Sequence, residues 1–302
     1  MFQFMDTQDK KKIEPNEFSP ILGFLVILLA FVCWMNFGPM LSFGIYSIKA
    51  FRQGPWAGVG DYLVVHAPYF LMFLALCLGS KFILKTNLSE LITGKDKHFR
   101  WRYASYVALI YIAFLVVVSL FQFKTIKFNS APLIDKLRFL LPVLILTPMQ
   151  ALSEEIFFRA LPARLIYHNE LPKTIKSSMP LIAISGFLFL IPHLGNPEVS
   201  ADAIFSCIYY FLWGASAMAL GLYTDGFEAP VVMHIANNLY IALIVNYSNS
   251  SMPTEALFTN AGVTSSIFSV FEVVAIYIIV IAFTYKIKKS NSDILKGNDN
   301  AR

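Results

Sequence analysis

Three groups of polar residues lie inside long apolar stretches of this chain, where such side chains are uncommon. Together they supply two carboxylates, a guanidinium, two imidazoles and a carboxamide: Glu154, Glu155, Arg159, His193, His234 and Asn238. A charge at the middle of a bilayer costs about 2.5–3.5 kcal/mol on insertion scales, so such residues usually face a polar interior and serve a function. These groups suit hydrolysis of a peptide bond, which needs activated water, a stabilised oxyanion and a protonated leaving amine.

The two adjacent glutamates are expected to differ in role. On a helix, Glu155 and Arg159 are four residues apart and share one face, so Arg159 is predicted to pair with Glu155 and keep it ionised. Glu154 is turned about 100° away around the helix axis and faces other neighbours. Its burial and the like charge beside it favour a general base that takes a proton from water. The alternative is a helix end whose charges extend into the membrane interface.

The two histidine groups have structural alternatives when each is considered alone. His193 follows Phe189 by one helical turn, and we assign Phe189 to substrate contact. His193 by itself is typical of a histidine that ends a membrane span. His234 and Asn238 share a face at four-residue spacing, and such a pair is equally suited to bind an oxyanion or to link helices.

Two routes to water activation remain open from the residues alone. In the first, Glu154, His193 and His234 hold zinc or another divalent metal ion that acidifies water. In the second, Glu154 deprotonates water directly without a metal, and His234 with Asn238 forms the oxyanion site. The signature of soluble zinc proteases, H-E-x-x-H, is absent from the sequence. The sequence does not choose between these routes.

The composition indicates that membrane helices must position these groups. Of the 302 residues, 57% are hydrophobic and 14% are charged, against about 25% charged in a typical soluble domain. Apolar windows of about 20 residues predict an all-α integral membrane protein with eight transmembrane helices. They cover residues 21–48, 62–84, 103–123, 139–167, 179–194, 203–223, 230–247 and 267–285. The site is expected in the bundle of helices four to seven, with helices one to three and eight as support.

The basic residues predict the orientation of the chain. With both termini in the cytoplasm, 18 of the 24 Lys and Arg residues fall on the cytoplasmic side, which is the usual bias. We therefore expect a cytoplasmic tail at 1–19, one polytopic membrane domain at 20–286 with a catalytic block at about 140–247, and a basic cytoplasmic tail at 287–302. The net charge of +5 is assigned to orientation and to the lipid bilayer, and no nucleic-acid partner is expected.

The remaining polar residues are expected to be structural. His66, His98 and His168 lack polar company in the sequence and are assigned to the surface. Asp225 and Glu228 belong to a short turn that is expected to be solvated, although its acids could also meet a basic substrate tail.

The order and spacing of the polar groups resemble a family of intramembrane proteases. The resemblance rests on three motifs: E-E-x-x-x-R at 154–159, F-x-x-x-H at 189–193 and H-x-x-x-N at 234–238. These are similar to the signature of the CAAX protease and bacteriocin-processing family, also called CPBP or Abi. The similarity covers about residues 140–247, and eight helices match the architecture of the eukaryotic prenyl-protein endopeptidases.

The resemblance implies an intramembrane endopeptidase that acts on a membrane-associated peptide or protein. Glu154 would activate water, His193 and His234 would stand at the scissile carbonyl, and Asn238 would stabilise the oxyanion. The predicted ion pair of Glu155 would order the site. Both metal-dependent and metal-free glutamate mechanisms have been argued for the family, so the cofactor stays open. Bacterial relatives serve peptide maturation, signalling and bacteriocin self-immunity, which favours the plasma membrane of a bacterium as the location.

Two other classes of function remain open. A non-catalytic membrane protein, such as a bacteriocin immunity factor or a sensor scaffold, would use the same residues to bind a partner. A transporter would use the acids to relay protons, but such proteins often show paired halves, and here the motifs lie in one half of the chain. The sequence indicates neither the substrate nor the oligomeric state.

Overall fold

The structure is a computed structural model, and it describes residues 19–93, 98–167, 176–248, 250–262 and 267–299, with side chains described as far as residue 289. The predicted N-terminal tail lies outside the described residues except for Ser19, and so does His168.

Helices make up most of the described chain. In chain order they are α1 (Pro20–Val32), α2 (Gly38–Ser47), α3 (Lys49–Arg52), α4 (Ala57–Leu78), α5 (Leu88–Ile92), α6 (Trp101–Phe121), α7 (Leu133–Glu155), α8 (Leu161–Tyr167), α9 (Met179–His193), α10 (Pro197–Ala201), α11 (Ala203–Thr224), α12 (Glu228–Leu243) and α13 (Ile267–Asp299). π-Helical turns at Cys33–Phe37, Gly79–Leu84 and Ile156–Ala160 continue α1, α4 and α7, and Lys176–Ser178 is a 3₁₀ turn. The strands are β1 (Ile126–Phe128), β2 (Val245–Tyr247) and β3 (Phe258–Asn260).

Six helical stretches of the described chain are long and apolar enough to cross a membrane. They are Pro20–Ser47, Ala57–Leu84, Trp101–Phe121, Leu133–Tyr167, Ala203–Thr224 and Ile267–Lys289. The prediction of an all-α integral membrane protein is therefore confirmed, whereas the count of eight spans is not. Predicted spans five and seven correspond to α9 and α12, which have 15 and 16 residues. A straight helix needs about 20 residues to cross the hydrocarbon core of a bilayer.

A small three-stranded sheet joins loops at one end of the helix bundle. We call this end of the bundle the sheet end. Its central strand is β3, which is antiparallel to β1 and parallel to β2. The predicted seventh span was wrong at its end, because residues 245–247 leave the helix and form β2. The sheet ties the segment after α6 to the segment before α13.

A π-helical turn follows the paired glutamates directly. α7 ends at Glu155, and Ile156–Ala160 form a wider turn before α8 begins. Such turns are rare inside α-helices and often occur at functional sites. Every residue of this turn is buried, so Arg159 is directed into the protein and not toward the membrane interface.

α9 approaches α11 closely at one glycine. A Cβ atom added to Gly214 would lie 2.7 Å from the Cβ of Phe189 and 2.8 Å from the carbonyl oxygen of Ser185. These distances are too short for a side chain, so this approach of the two helices requires glycine. The contact fixes the last turns of α9, which carry Phe189 and His193.

Candidate active site

A cavity of about 560 Å³ lies among the helices. Five of the predicted site residues line it: Glu154, Phe189, His193, His234 and Asn238. Its wall also includes residues of α4, α6 and α13, which correspond to spans assigned to support in the sequence analysis. The cavity reaches from Glu154 to Tyr247 of β2 at the sheet end.

Glu155 and Arg159 form the buried ion pair that their spacing predicts. Nη1 of Arg159 donates to Oε1 of Glu155 at 2.6 Å, and neither side chain is more than 1% exposed. The same oxygen accepts a hydrogen bond from Nδ1 of His234 at 2.8 Å. Glu155 and Arg159 do not line the cavity. Glu155 therefore links the turn after α7 to α12 and is neutralised by its partners.

The ring of Phe189 packs among the charged and polar groups. The guanidinium carbon of Arg159 lies 4.4 Å from the ring centroid, within the range of a cation–π contact. The ring centroids of His193 and His234 are 4.4 Å and 5.8 Å away. Because Phe189 is only 2% exposed, this position suits it to hold its neighbours in place. Its contact with a substrate remains a prediction.

Glu154 is about as buried as Glu155 but has fewer partners. Its side chain is 2% exposed, and its Oε1 accepts one hydrogen bond, from Nε2 of Gln150 at 3.2 Å. Its Oε2 has no hydrogen-bond partner among the described residues and lies 3.9 Å from Nε2 of His234. That separation is too long for a direct hydrogen bond, and it is short enough for a single water molecule to bridge. Oε2 of Glu155 also has no hydrogen-bond partner among the described residues, but only Glu154 lines the cavity, so Glu154 is the carboxylate placed to act on a molecule bound there.

Both histidines use Nδ1 for hydrogen bonds within the protein. Nδ1 of His193 is 2.6 Å from the carbonyl oxygen of Phe189, and the His193 ring stacks on Tyr210 with centroids 4.2 Å apart. Nδ1 of His234 faces the carboxylate of Glu155. Because carbonyl and carboxylate oxygens accept hydrogen bonds, each Nδ1 carries a proton. In the neutral rings Nε2 then holds the lone pair that can bind water or substrate.

A chain of three hydrogen-bonding groups orients the amide of Asn238. The hydroxyl of Tyr111 donates to Oδ1 of Asn237 at 2.9 Å, and Nδ2 of Asn237 donates to Oδ1 of Asn238 at 3.1 Å. Since the oxygen of Asn238 is occupied, its Nδ2 is the end left to donate. Asn238 lines the same cavity as Glu154, so this N–H is placed where an oxyanion could accept it.

The residues predicted to bind a metal are of types that bind divalent ions, but their positions do not form one metal site. Two imidazole nitrogens and a carboxylate, as in His193, His234 and Glu154, are common zinc ligands. However, no group of three His, Cys, Asp or Glu side chains within the described parts of the chain is arranged to hold one metal ion. The described geometry therefore does not fit the metal-bound arrangement.

Several polar residues of the cavity wall were missed in the sequence analysis. They include Tyr111, Gln150, Glu198, Tyr210 and Glu272. Glu272 is an acid in the apolar stretch of α13, so the insertion cost that pointed to Glu154 applied to it as well. The tyrosines gave no such signal, because tyrosine is frequent in membrane helices near the interfaces.

Two residues that were assigned to solvent are buried. His66 is 1% exposed, and its Nδ1 lies 2.9 Å from the carbonyl oxygen of Tyr62. Glu228 is fully buried and pairs with Arg100 at 2.5 Å. Burial would lower the pKa of Arg100, but the hydrogen bonds and charge of Glu228 hold that pKa above its ordinary value. His98 is exposed, as predicted.

Comparison with known proteins supports the resemblance drawn from the motifs. Residues 136–240 match the family model described as type II CAAX prenyl endopeptidase Rce1-like, and this segment contains all three motifs. The chain is also 26% identical over 237 residues to "Uncharacterized protein YyaK" of Bacillus subtilis (strain 168), an alignment that covers 76% of this chain and 75% of that protein. No solved structure matches the chain significantly. The family match supports an endopeptidase of the CAAX type in the membrane.

Proposed function

We propose that this protein is an intramembrane endopeptidase that hydrolyses a peptide bond in a membrane-associated peptide or protein, with Glu154 as the base that activates water. The observation that carries the proposal is the unpartnered Oε2 of Glu154, buried at the cavity and 3.9 Å from Nε2 of His234. A buried carboxylate oxygen without a hydrogen-bond partner is costly, so its retention at a cavity favours a chemical role.

The first step is attack by water on the scissile carbonyl carbon. A water held between Oε2 of Glu154 and Nε2 of His234 gives one proton to Glu154 as its oxygen bonds to that carbon. The carbonyl oxygen becomes an oxyanion and accepts a hydrogen bond from Nδ2 of Asn238. Glu155 and Arg159 keep His234 in the required tautomer through the hydrogen bond at Nδ1.

The second step breaks the carbon–nitrogen bond. Glu154 now carries the proton taken from water and gives it to the leaving amine, so the carboxylate is regenerated for the next cycle. His193 lines the same cavity with Nε2 available, and it serves to hold a peptide N–H beside the scissile bond. No metal ion is required in this sequence of steps.

The proposed location is the plasma membrane of a bacterium, with both termini in the cytoplasm. The bias of Lys and Arg residues supports the orientation, and the similarity to a Bacillus subtilis protein supports the source. Peptide maturation, signalling and bacteriocin-related processing are the roles we propose for such an activity.

The experiment compares peptide termini by mass spectrometry in cells that express the wild type or Glu154→Gln at equal levels. Glutamine is nearly isosteric but cannot take the proton, so a defined set of termini should disappear in the variant. The lost termini then identify the substrates. Unchanged termini, together with a phenotype that Glu154→Gln retains and gene deletion removes, would instead indicate a non-catalytic binding protein.

A further inference from the structure

The charges around the cavity are of one sign. Glu154, Glu198 and Glu272 all line it, and among the described lining residues none is a lysine or an arginine. Arg159 follows Glu154 by five residues in the chain. Its side chain is fully buried against the ring of Phe189 and does not line the cavity. Carboxylates around a cavity with apolar walls concentrate their field inside it and attract positive charge.

Glu272 stands toward the sheet end, away from the reacting groups, in an environment that holds it in place. Its Oε1 accepts a hydrogen bond from Nε2 of Gln122 at 3.3 Å, and Oε1 of Gln122 accepts one from Nδ2 of Asn260 in β3 at 2.6 Å. The sheet thus orients Gln122, and Gln122 orients Glu272.

Tyrosines line the same cavity as this carboxylate. They include Tyr209, Tyr240 and Tyr247. A cavity that combines a carboxylate with aromatic rings suits ammonium and guanidinium groups, because ring faces add cation–π attraction to an ion pair. The same cavity also holds the buried Oε2 of Glu154, the oxygen assigned above to the attacking water, so both carboxylates are placed to act on one bound peptide.

We propose that Glu272, with tyrosines of the cavity wall, forms a specificity subsite that binds a lysine or arginine side chain of the substrate. The proposal rests on the endopeptidase function proposed above and names the class of peptide that it cleaves. The substrate is then a peptide with a basic residue at a fixed distance from the scissile bond.

The test maps cleavage sites by mass spectrometry in cells that carry wild type, Glu154→Gln, Glu272→Gln, Glu272→Lys or Glu255→Gln. Glu255 bonds to Asn129 outside the cavity, so Glu255→Gln removes the same charge without touching the subsite. The sites lost in Glu154→Gln should share a Lys or Arg at one position. Glu272→Gln should lower the yield of those products about tenfold, and Glu255→Gln should leave it unchanged.

The results separate the two proposals. Glu272→Lys should shift cleavage toward sites with Asp or Glu at the same position, which loss of folding cannot produce. Cleavage sites that depend on Glu154 but show no basic residue, or yields that Glu272→Gln and Glu272→Lys leave unchanged, would overturn the subsite and keep the protease. Termini that Glu154→Gln does not alter would overturn the proposed function and the subsite with it.

Discussion

Glu154 and Glu155 are neighbours in the chain and almost equally buried, yet their surroundings differ. Oε1 of Glu155 receives hydrogen bonds from Arg159 and His234, whereas Glu154 receives only one, from Gln150. Each carboxylate keeps one oxygen without a hydrogen-bond partner among the described residues, but Glu155 is paired with Arg159 away from the cavity, whereas Glu154 lines the cavity. Adjacent residues of one type can therefore divide into a positioning group and a reacting group, because a helix directs them to different neighbours.

The largest expected effect is on stability: removing the partner of Glu155 should lower the unfolding free energy far more than changing Glu154 does. Arg159→Met leaves Glu155 buried with only His234 as a partner, and breaking a buried ion pair in this way costs about 3–5 kcal/mol of unfolding free energy. Glu154→Gln should change that free energy by less than about 1 kcal/mol, because Oε2 of Glu154 loses no hydrogen bond. Denaturant unfolding of the purified variants in detergent measures both.

A double substitution provides the control for this comparison. Glu155→Gln combined with Arg159→Met removes both charges, so it should be more stable than Arg159→Met alone. Equal destabilisation by Glu154→Gln and Arg159→Met would break the distinction between the two glutamates.

Removing the hydroxyl of Tyr111, which orients Asn238 through Asn237, should have a smaller effect, and this effect should be on kcat. Tyr111→Phe removes the donor to Asn237, so the amide of Asn238 should be held less firmly at the oxyanion. A hydrogen bond of this kind is worth about 1 kcal/mol, which predicts about a fivefold lower kcat with KM nearly unchanged. The measurement is steady-state hydrolysis of a peptide that spans an identified cleavage site.

Tyr277→Phe is the matched control, because the hydroxyl of Tyr277 is buried and has no partner among the described residues. It should leave kcat unchanged. If both substitutions lowered kcat equally, the effect would come from packing and not from the orientation of Asn238.

Chelation of metal ions should have the smallest effect. The described ligands are not arranged around one ion, so prolonged dialysis against a strong chelator should leave the rate of hydrolysis unchanged. Loss of activity that added zinc restores would show that Glu154 and the histidines move together around a metal, and it would replace direct water activation by the metal-dependent route.

The motif residues could be found from the sequence because charges and amides stand out in apolar stretches. The Glu155–Arg159 pair followed from helical spacing alone. The bond from His234 to Glu155 could not be predicted, since it joins residues 79 apart and depends on how α12 packs against α7. Strands of three residues, such as β2, give no periodic signal, and the burial of His66 and Glu228 depends on partners from other helices.

The central claim is that Glu154 activates the attacking water. The most direct measurement compares initial rates of hydrolysis by purified wild type and Glu154→Gln in lipid nanodiscs, on a synthetic peptide that spans a cleavage site lost in cells. Loss of a general base predicts a rate about 10²–10⁴-fold lower at unchanged stability. A rate within a few fold of the wild type would contradict the account.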